Sequence, residues 1–469
     1  MNTLKKLVNQ TAIYGLSSVI GRLLNYLLVP LYTRYFLPEE YGVVTEIYAY
    51  VALLIVFLTY GMETAFFRFS KKNNNPNLVY STTLVSVLLT SVFFIIIVYF
   101  NSGPIASLIG YGNNKEYIQW FSIILGLDAI SAISFASLRQ QNKALRFAII
   151  RLINIFFNIL LNIYFIVYKG YGIEYIFISN LLSSILTTML LFPEIFKSSW
   201  GFDVVLWKKM IVYALPLLVA GLAGMINETI DRILLKHLLQ NPETATAEVG
   251  LYGAFYKLSI IMTLFIQTFR FAAEPFFFSQ EKNPAAKKIY ADVMKYFTIT
   301  TIFIFLTVII FYDLVKEFIG SNYHDERGFL VVSILLLANL FLGIYYNLSI
   351  WYKITEKTKY GAYFSILGAV ITIVLNIILI PSVGFVGSAC ATLCCYLIMT
   401  ICSYLLGRKH FSVPYNLKRI GLYLGLMFVI YFLVLITDLG MLINSLYLIV
   451  FIMLVVLLEK PKKISIFKS

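Results

Sequence analysis

The sequence predicts an all-α polytopic membrane protein with about 14 transmembrane helices, in two pseudo-symmetric six-helix bundles plus a C-terminal helix pair. Three observations lead there. Hydrophobic residues make up 60% of the chain, charged residues only 13%, and mean hydropathy is +0.84. Soluble domains carry about 25% charged residues, so this chain cannot furnish a water-facing surface. Apolar runs such as Leu78–Phe100, Ala362–Ile380 and Leu446–Leu458 recur, separated by short polar breaks. Lipid offers the backbone no hydrogen-bond partners, so repeated spans are helices or a closed barrel, and these runs lack the alternation of barrel strands.

Spans are expected near 11–33, 42–66, 79–100, 117–137, 147–168 and 173–193. A second set lies near 211–230, 250–278, 293–312, 328–350, 361–380 and 384–406, and a last pair near 416–436 and 441–458. The net charge of +14 arises from 37 Lys and Arg against 23 Asp and Glu. These basic residues punctuate the spans instead of forming one surface, which argues against a nucleic-acid partner. With the N-terminus in the cytoplasm, most fall in cytoplasmic segments, as the positive-inside rule requires. Both termini are then expected on that side. Met1–Gln10, polar with Lys5 and Lys6, reads as a cytoplasmic start without a cleavable leader.

The chain also repeats itself. Arg139–Lys143 precedes a span that reaches Leu161-Asn162-Ile163, and Lys353–Lys357 precedes one that reaches Leu375-Asn376-Ile377 at the same spacing. Leu4-Lys5-Lys6 resembles Trp207-Lys208-Lys209, at a shorter offset of 203 residues. The expected division is 1–200 for the first bundle, 201–412 for the second and 413–469 for the extra helices with a basic tail. Parallel repeats of this kind commonly place a substrate path between them.

Nine ionisable residues lie inside spans: Arg22, Glu46, Glu63, Asp128, Arg151, Glu228, Lys257, Arg270 and Glu274. Each costs roughly 2.5–3.5 kcal/mol at a helix centre on insertion scales, so each needs water or a partner. Glu46, Glu63 and Glu228 sit near span ends, where snorkelling suffices. Three polar stripes run along separate helices: Ser18, Arg22 and Asn25; Arg151, Asn154, Asn158 and Asn162; Thr263, Gln267, Arg270 and Glu274. They read as walls of a hydrated cavity or, for the asparagines, equally as interhelical glue. Arg22, Asn25, Arg151, Asn158, Lys257, Gln267 and Arg270 form the expected substrate-binding set. Arg holds phosphate by bidentate hydrogen bonds, so an anionic cargo fits the sign of the charges. Arg270 and Glu274 also stand one turn apart and can neutralise each other. Asp128 and Glu274 are the candidates for ion coupling, by proton or sodium; Asp128 serves equally as a static partner for Arg22 or Arg151. The four cysteines, Cys390, Cys394, Cys395 and Cys402, share one apolar segment and read as packing residues. His237, His324 and His410 have no metal-site spacing, and no nucleophile motif joins them, so neither an enzyme nor a cofactor is expected.

Pro30-Leu-Tyr-Thr-Arg-Tyr-Phe-Leu-Pro-Glu-Glu-Tyr-Gly42 resembles the polysaccharide transporter (oligosaccharide/O-antigen flippase) family of the multidrug/oligosaccharidyl-lipid/polysaccharide exporter superfamily. Tyr60–Arg68, Leu138–Lys143, Ile230-Asp-Arg232, Val249-Gly-Leu-Tyr252 and Pro381–Gly387 fit the same pattern. The resemblance implies two bundles that expose a site alternately to each side of a bacterial inner membrane. It implies a polyprenyl-diphosphate-linked oligosaccharide as cargo, destined for O-antigen, capsule or exopolysaccharide. Membrane lipid and polysaccharide polymerase machinery are the further partners it suggests. A lipid II flippase and an ion-coupled multidrug exporter are the alternatives.

Overall fold

The computed structural model describes residues 20–197, 200–437 and 440–459. Helices dominate, and there is no strand among the described residues. Among the described residues, twelve helical stretches are long and apolar enough to cross a membrane. The Glu174–Leu190 helix is apolar but shorter. The first part of the span expected at 11–33, up to residue 19, lies outside the described residues, so the count of 14 is not fixed by the structure.

After a helical stretch at 20–26, helix α1 (Leu28–Tyr35) leads to α2 (Pro38–Thr59). The start of α2 is written in its sequence: Pro38 occupies the first turn, and the Glu40 carboxylate accepts the Leu37 N–H at 2.9 Å. It ends where Tyr60 and Gly61 both turn left-handed, at φ 31° and 73°. A Cβ at Gly61 would stand 2.8 Å from the Ala214 carbonyl oxygen, so glycine serves both the turn and the close approach. Helix α3 (Met62–Lys72) continues the same span. Next come α4 (Pro76–Phe100), α5 (Lys115–Gln140), α6 (Ala144–Asn162, continued by a π-helical stretch Ile163–Tyr168) and α7 (Glu174–Leu190). Helix α5 is the hub of this part: 78% of its apolar window is buried, and α4, α7 and α2 pack around it. Its small residues Gly126, Ala129, Ser131, Ser134 and Ala136 permit that approach.

Helix α8 (Val204–Leu238) is capped by Asp203, whose carboxylate accepts the Val205 and Leu206 N–H groups at 2.9 and 3.0 Å. Its 35 residues rise roughly 50 Å, well beyond the hydrocarbon thickness. The sequence had suggested a break of some twenty residues from Asp231 to Val249. Instead only 239–241 separate α8 from α9 (Pro242–Leu258). Asp231, Arg232, Lys236 and His237 read as loop residues by polarity, yet they are helical. Helix α10 (Ile260–Ser279) follows a break at Ser259, which divides the expected 250–278 span. Further along are α11 (Ala286–Ile310), α12 (Gly328–Leu348), the short α13 (Ile350–Ile354), α14 (Lys359–Val383), α15 (Phe385–His410), α16 (Leu417–Thr437) and α17 (Gly440–Leu458).

The helices gather into two compact units. One holds the described residues up to Ala254 together with Ser365–Ser388; the other holds Phe255–Phe364 and the described residues from Ala389 onward. The first is built around Met62, Phe66, Val79, Leu84, Ile133, Leu138 and Met210, all buried. In the second, Ala273, Phe277, Tyr290, Ile350 and Val413 form one buried cluster, and α16 and α17 pack on α11. Outward-facing Phe93, Phe100, Val212 and Leu442 are largely exposed, as suits a surface solvated by lipid. The chain is a multi-pass membrane protein.

Candidate substrate site

In the second unit, α10 brings Gln267, Arg270 and Glu274 onto one stripe, and α13 adds Lys353. The Arg270 Nε donates to Glu274 Oε1 at 2.9 Å, and Lys353 Nζ donates to the same oxygen at 2.6 Å. The guanidinium lies 4.6 Å above the Tyr346 ring. Arg270, Glu274, Tyr346 and Lys353, with Phe269, Ala273, Phe277, Ser349 and Ile350, line a small, shallow concavity. The Arg270–Glu274 neutralisation weighed from sequence therefore forms, but as a triad with two cations on one carboxylate. One positive charge is left over. Arg270 is 47% exposed, and only its Nε is hydrogen bonded among the described residues. The guanidinium fork thus remains open to an anion.

The first unit collects a second group of charges. Arg151 on α6 lies over the Phe135 ring at 4.7 Å and is flanked by Phe147 at 5.6 Å. The charges of Asp128, Glu63, Arg139 and Arg22 all reach it. Arg139 and Glu63 form an ion pair at 2.9 Å, so Glu63 is partnered and does not merely snorkel. Asp128 on α5 is half-buried and within hydrogen-bonding reach of Ser184, with no ion pair closer than 4 Å among the described residues. Arg22 and Asn25 are exposed. Arg151 thus lies within electrostatic range of two carboxylates and two further guanidinium groups, and the sign is again positive.

The asparagines of α6 turn mainly to packing. Asn154 Nδ2 donates to the Ser183 carbonyl at 3.0 Å and the Thr187 hydroxyl at 2.7 Å on α7. Asn162 Nδ2 donates to Asn158 Oδ1 at 2.6 Å, while its own Oδ1 accepts from the Tyr32 hydroxyl at 2.9 Å. Asn158 is thereby tied to this chain of bonds and not to the Arg151 group. Lys257 lies in the last turn of α9, half-buried and set apart from the α10 stripe by the break at Ser259; Gln267 is half-buried on that stripe.

Sequence reasoning missed one constellation. Glu46, read as an end-of-span residue that snorkels, has a side chain with no exposed surface. Its Oε2 pairs with Lys236 Nζ of α8 at 2.8 Å and accepts the Tyr111 hydroxyl. Burial, and after it the Glu46 charge, pushes the Tyr111 phenol far above its usual range, so it stays a donor. Lys236 also donates to the Ile109 carbonyl at 2.8 Å and sits 3.6 Å from the centre of the Tyr111 ring. The cost of a buried carboxylate and the helical phase of Lys236 were the available signals; a loop reading of Lys236 hid the second.

A family model described as "Polysaccharide biosynthesis protein" matches residues 31–326, and the chain belongs to that family. No curated protein sequence matches it. Among solved structures it is similar to the lipid II flippase MurJ in an inward closed conformation, with a TM-score of 0.76, 18% identity, 95% of this chain and 98% of the other covered. An inward-facing multidrug resistance MATE transporter gives a TM-score of 0.67 at 14% identity, covering 86% and 94%. A mutant of the Vibrio cholerae MATE transporter VcmN gives 0.60 at 14% identity, covering 86% and 96%. At these identities the likeness is one of fold.

Proposed function

We propose that the chain flips a polyprenyl-diphosphate-linked oligosaccharide across the bacterial inner membrane by alternating access, for surface polysaccharide assembly. Both termini are cytoplasmic in this reading, and polysaccharide polymerase machinery takes the cargo onward. The observation that carries it is the Arg270–Glu274–Lys353 triad: net positive, concave, aromatic-walled, with the tips of the guanidinium fork outside the internal hydrogen bonding. A diphosphate offers the paired oxygens that such a fork binds. The Arg22–Arg139–Arg151 group of the first unit is the second basic station. Of the two coupling candidates, Asp128 lacks an ion-pair partner among the described residues and can exchange an ion, whereas Glu274 is committed to two cations. Family membership supports the polysaccharide destination. The likeness to MurJ keeps lipid II as the second reading, since its diphosphate would meet the same triad. A cationic drug would be repelled by a net positive cluster, which disfavours a multidrug exporter.

The test is export in a bacterial strain deprived of its own oligosaccharide flippase. The chain should restore surface polysaccharide, and Arg270→Ala, at equal membrane abundance, should not. Rescue of a strain lacking its lipid II flippase, without rescue of polysaccharide export, would transfer the assignment to lipid II.

A further inference from the structure

At one end of the second unit two spans finish and two begin. Gly328–Ile354 and Phe385–His410 stop there, and Ala286–Ile310 and Leu417–Thr437 start there. Ring contacts tie these ends together. Tyr290 of α11 packs on Phe411 with ring centres 6.4 Å apart, and Trp351 of α13 stacks on His410 of α15 at 5.5 Å. Tyr404 of α15 meets Tyr415, just before α16, at 6.4 Å. Only residues 411–416 join α15 to α16, so this corner lies at the boundary between hydrocarbon and water.

A shallow concavity opens here, walled by Trp351, Tyr404, Phe411 and Tyr415, with Arg408 in its lining. Gly407 lets α15 close on the Trp351 ring, from which a Cβ would stand only 2.8 Å. Trp351 is buried, and its indole N–H donates to the Ser403 hydroxyl at 3.3 Å, which fixes that wall. Arg408 is exposed, and its side chain has neither an ion pair nor a hydrogen bond among the described residues. Lys287 of α11 stands 4.9 Å from the centre of the Phe411 ring, also without an ion pair among them. From Gly407 to Arg419 the sequence holds four basic residues, Arg408, Lys409, Lys418 and Arg419, and no acidic one. Glu281 precedes Lys282, Lys287 and Lys288 and cannot neutralise them all. Glu459, which feels the Arg419 charge, is taken by Lys295 and the Tyr423 hydroxyl at 2.6 and 2.7 Å. The corner is therefore positive and aromatic, and its guanidinium is unused.

We propose that this corner binds the headgroup of an anionic phospholipid of the surrounding bilayer. The Arg408 fork takes the lipid phosphate by paired hydrogen bonds, and Lys287 adds a second positive charge across the Phe411 ring. Tyr404, Phe411 and Tyr415 meet the glycerol and the first methylenes, the half-wet layer that aromatic rings favour at a membrane boundary. Basic pockets between the ends of membrane helices take such headgroups. The neighbouring surface favours a lipid over a free phosphate. Ile401, Leu405 and Arg408 follow one another at helical spacing on α15, and Ile401 and Leu405 are both exposed. An acyl chain can lie along that apolar stripe while its phosphate meets the guanidinium above. Helix α13 supplies Trp351 here and Lys353 to the Arg270 triad, so the bound lipid braces the helix that completes the substrate site. On the orientation of the proposed function this is the cytoplasmic boundary, where anionic lipids lie. In that respect the inference rests on that reading, whereas lipid binding itself needs no particular cargo.

The test uses the full chain in micelles of a non-ionic detergent. The probe is phosphatidylglycerol with a fluorophore on its acyl chain, and anisotropy reports binding. Phosphatidylcholine with the same label is the reference, because its choline neutralises the phosphate. The chain should prefer phosphatidylglycerol by about tenfold or more, and Arg408→Gln and Lys287→Gln should each reduce that preference about fivefold, the worth of one basic group near a membrane surface. Arg408→Lys should keep only part of it, since the charge stays and the fork is lost. Neither Arg408 nor Lys287 has an ion pair to break, so these variants should fold as the wild type does. Lys316→Gln, at the other end of the unit where Lys316 pairs with Asp313 at 2.7 Å, should leave the preference intact. Arg270→Ala should do so too, and glycerol phosphate, a headgroup without chains, should not compete. Equal affinity for the two lipids overturns the proposal, as does a preference that survives Arg408→Gln. A preference lost with Lys316→Gln would reduce it to general attraction, and one lost with Arg270→Ala would move the lipid to the substrate site. Competition by glycerol phosphate as strong as that of the lipid would make the ligand a soluble phosphate ester. Because no export is measured, these results stand apart from those that decide the cargo.

Discussion

The molecule contains two lysine–glutamate pairs of similar length and opposite character. In the first unit Lys236 and Glu46 meet at 2.8 Å, 13% and 0% exposed. In the second, Lys353 and Glu274 meet at 2.6 Å, 23% and 36% exposed, with Arg270 on the same oxygen. The first is dry and charge-balanced, with a tyrosine hydroxyl donating to its carboxylate and a backbone carbonyl accepting from its ammonium. The second is wet, carries a surplus positive charge and opens onto a concavity. Distance alone would rank them as equals. Burial assigns one to holding helices together and leaves the other available to a ligand.

That contrast can be broken by removing one partner from each pair. Lys236→Met strands a buried carboxylate and should cost about 3–5 kcal/mol of stability. The change should appear as a clear fall in the thermal unfolding temperature of the solubilised protein. Lys353→Met leaves Glu274 paired with Arg270 in an exposed setting and should cost no more than about 1 kcal/mol. Equal losses in the two variants would show that burial does not separate them.

The second unit can be sharpened by function. Arg270→Ala removes a charge-assisted contact of roughly 1.5–3 kcal/mol, so cargo binding should fall about ten- to hundredfold. Arg270→Lys keeps the charge but loses the fork and should recover only part of that loss. Full recovery would mean that charge, not bidentate geometry, matters there.

Arg22 tests the first unit's basic group. Arg22→Ala should abolish most export at normal membrane abundance. If Arg22 were instead a structural partner of Asp128, the double change Arg22→Ala with Asp128→Ala would restore export, since both charges then leave together. The smallest effect belongs to the asparagines. Asn154→Leu should cost about 0.6 kcal/mol, the typical worth of a hydrogen bond between helices in lipid, with export per folded molecule unchanged.

The helical membrane class was legible because composition decides it: a chain with 13% charged residues has one solvent available. The Arg270–Glu274 contact was legible because spacing on one helix is a local property. Lys353 was not, since its approach depends on how α13 packs against α10, and nothing near Lys353 in sequence records that. The Pro38–Gly42 and Val249–Tyr252 motifs were each noticed, but their meeting across the α2–α9 seam is a tertiary fact. Polarity misled at Asp231–His237, where the structure supplies partners that a sequence cannot display: Tyr252 for Asp231 and Glu46 for Lys236. The repeat division at 200 and 412 remains a proposal, to be checked by superposing the two sets of six helices.

The central claim is that a diphosphate-linked glycan crosses the membrane by way of the Arg270 triad. Purified protein in liposomes, given a polyprenyl-diphosphate oligosaccharide with a fluorescent sugar, allows direct measurement of transfer between leaflets by quenching from outside. The wild-type chain should accelerate transfer, free diphosphate should inhibit it, and Arg270→Ala should bring it close to the rate of empty liposomes. Transfer by Arg270→Ala at the wild-type rate, or a wild-type rate no greater than that of empty liposomes, would contradict the account.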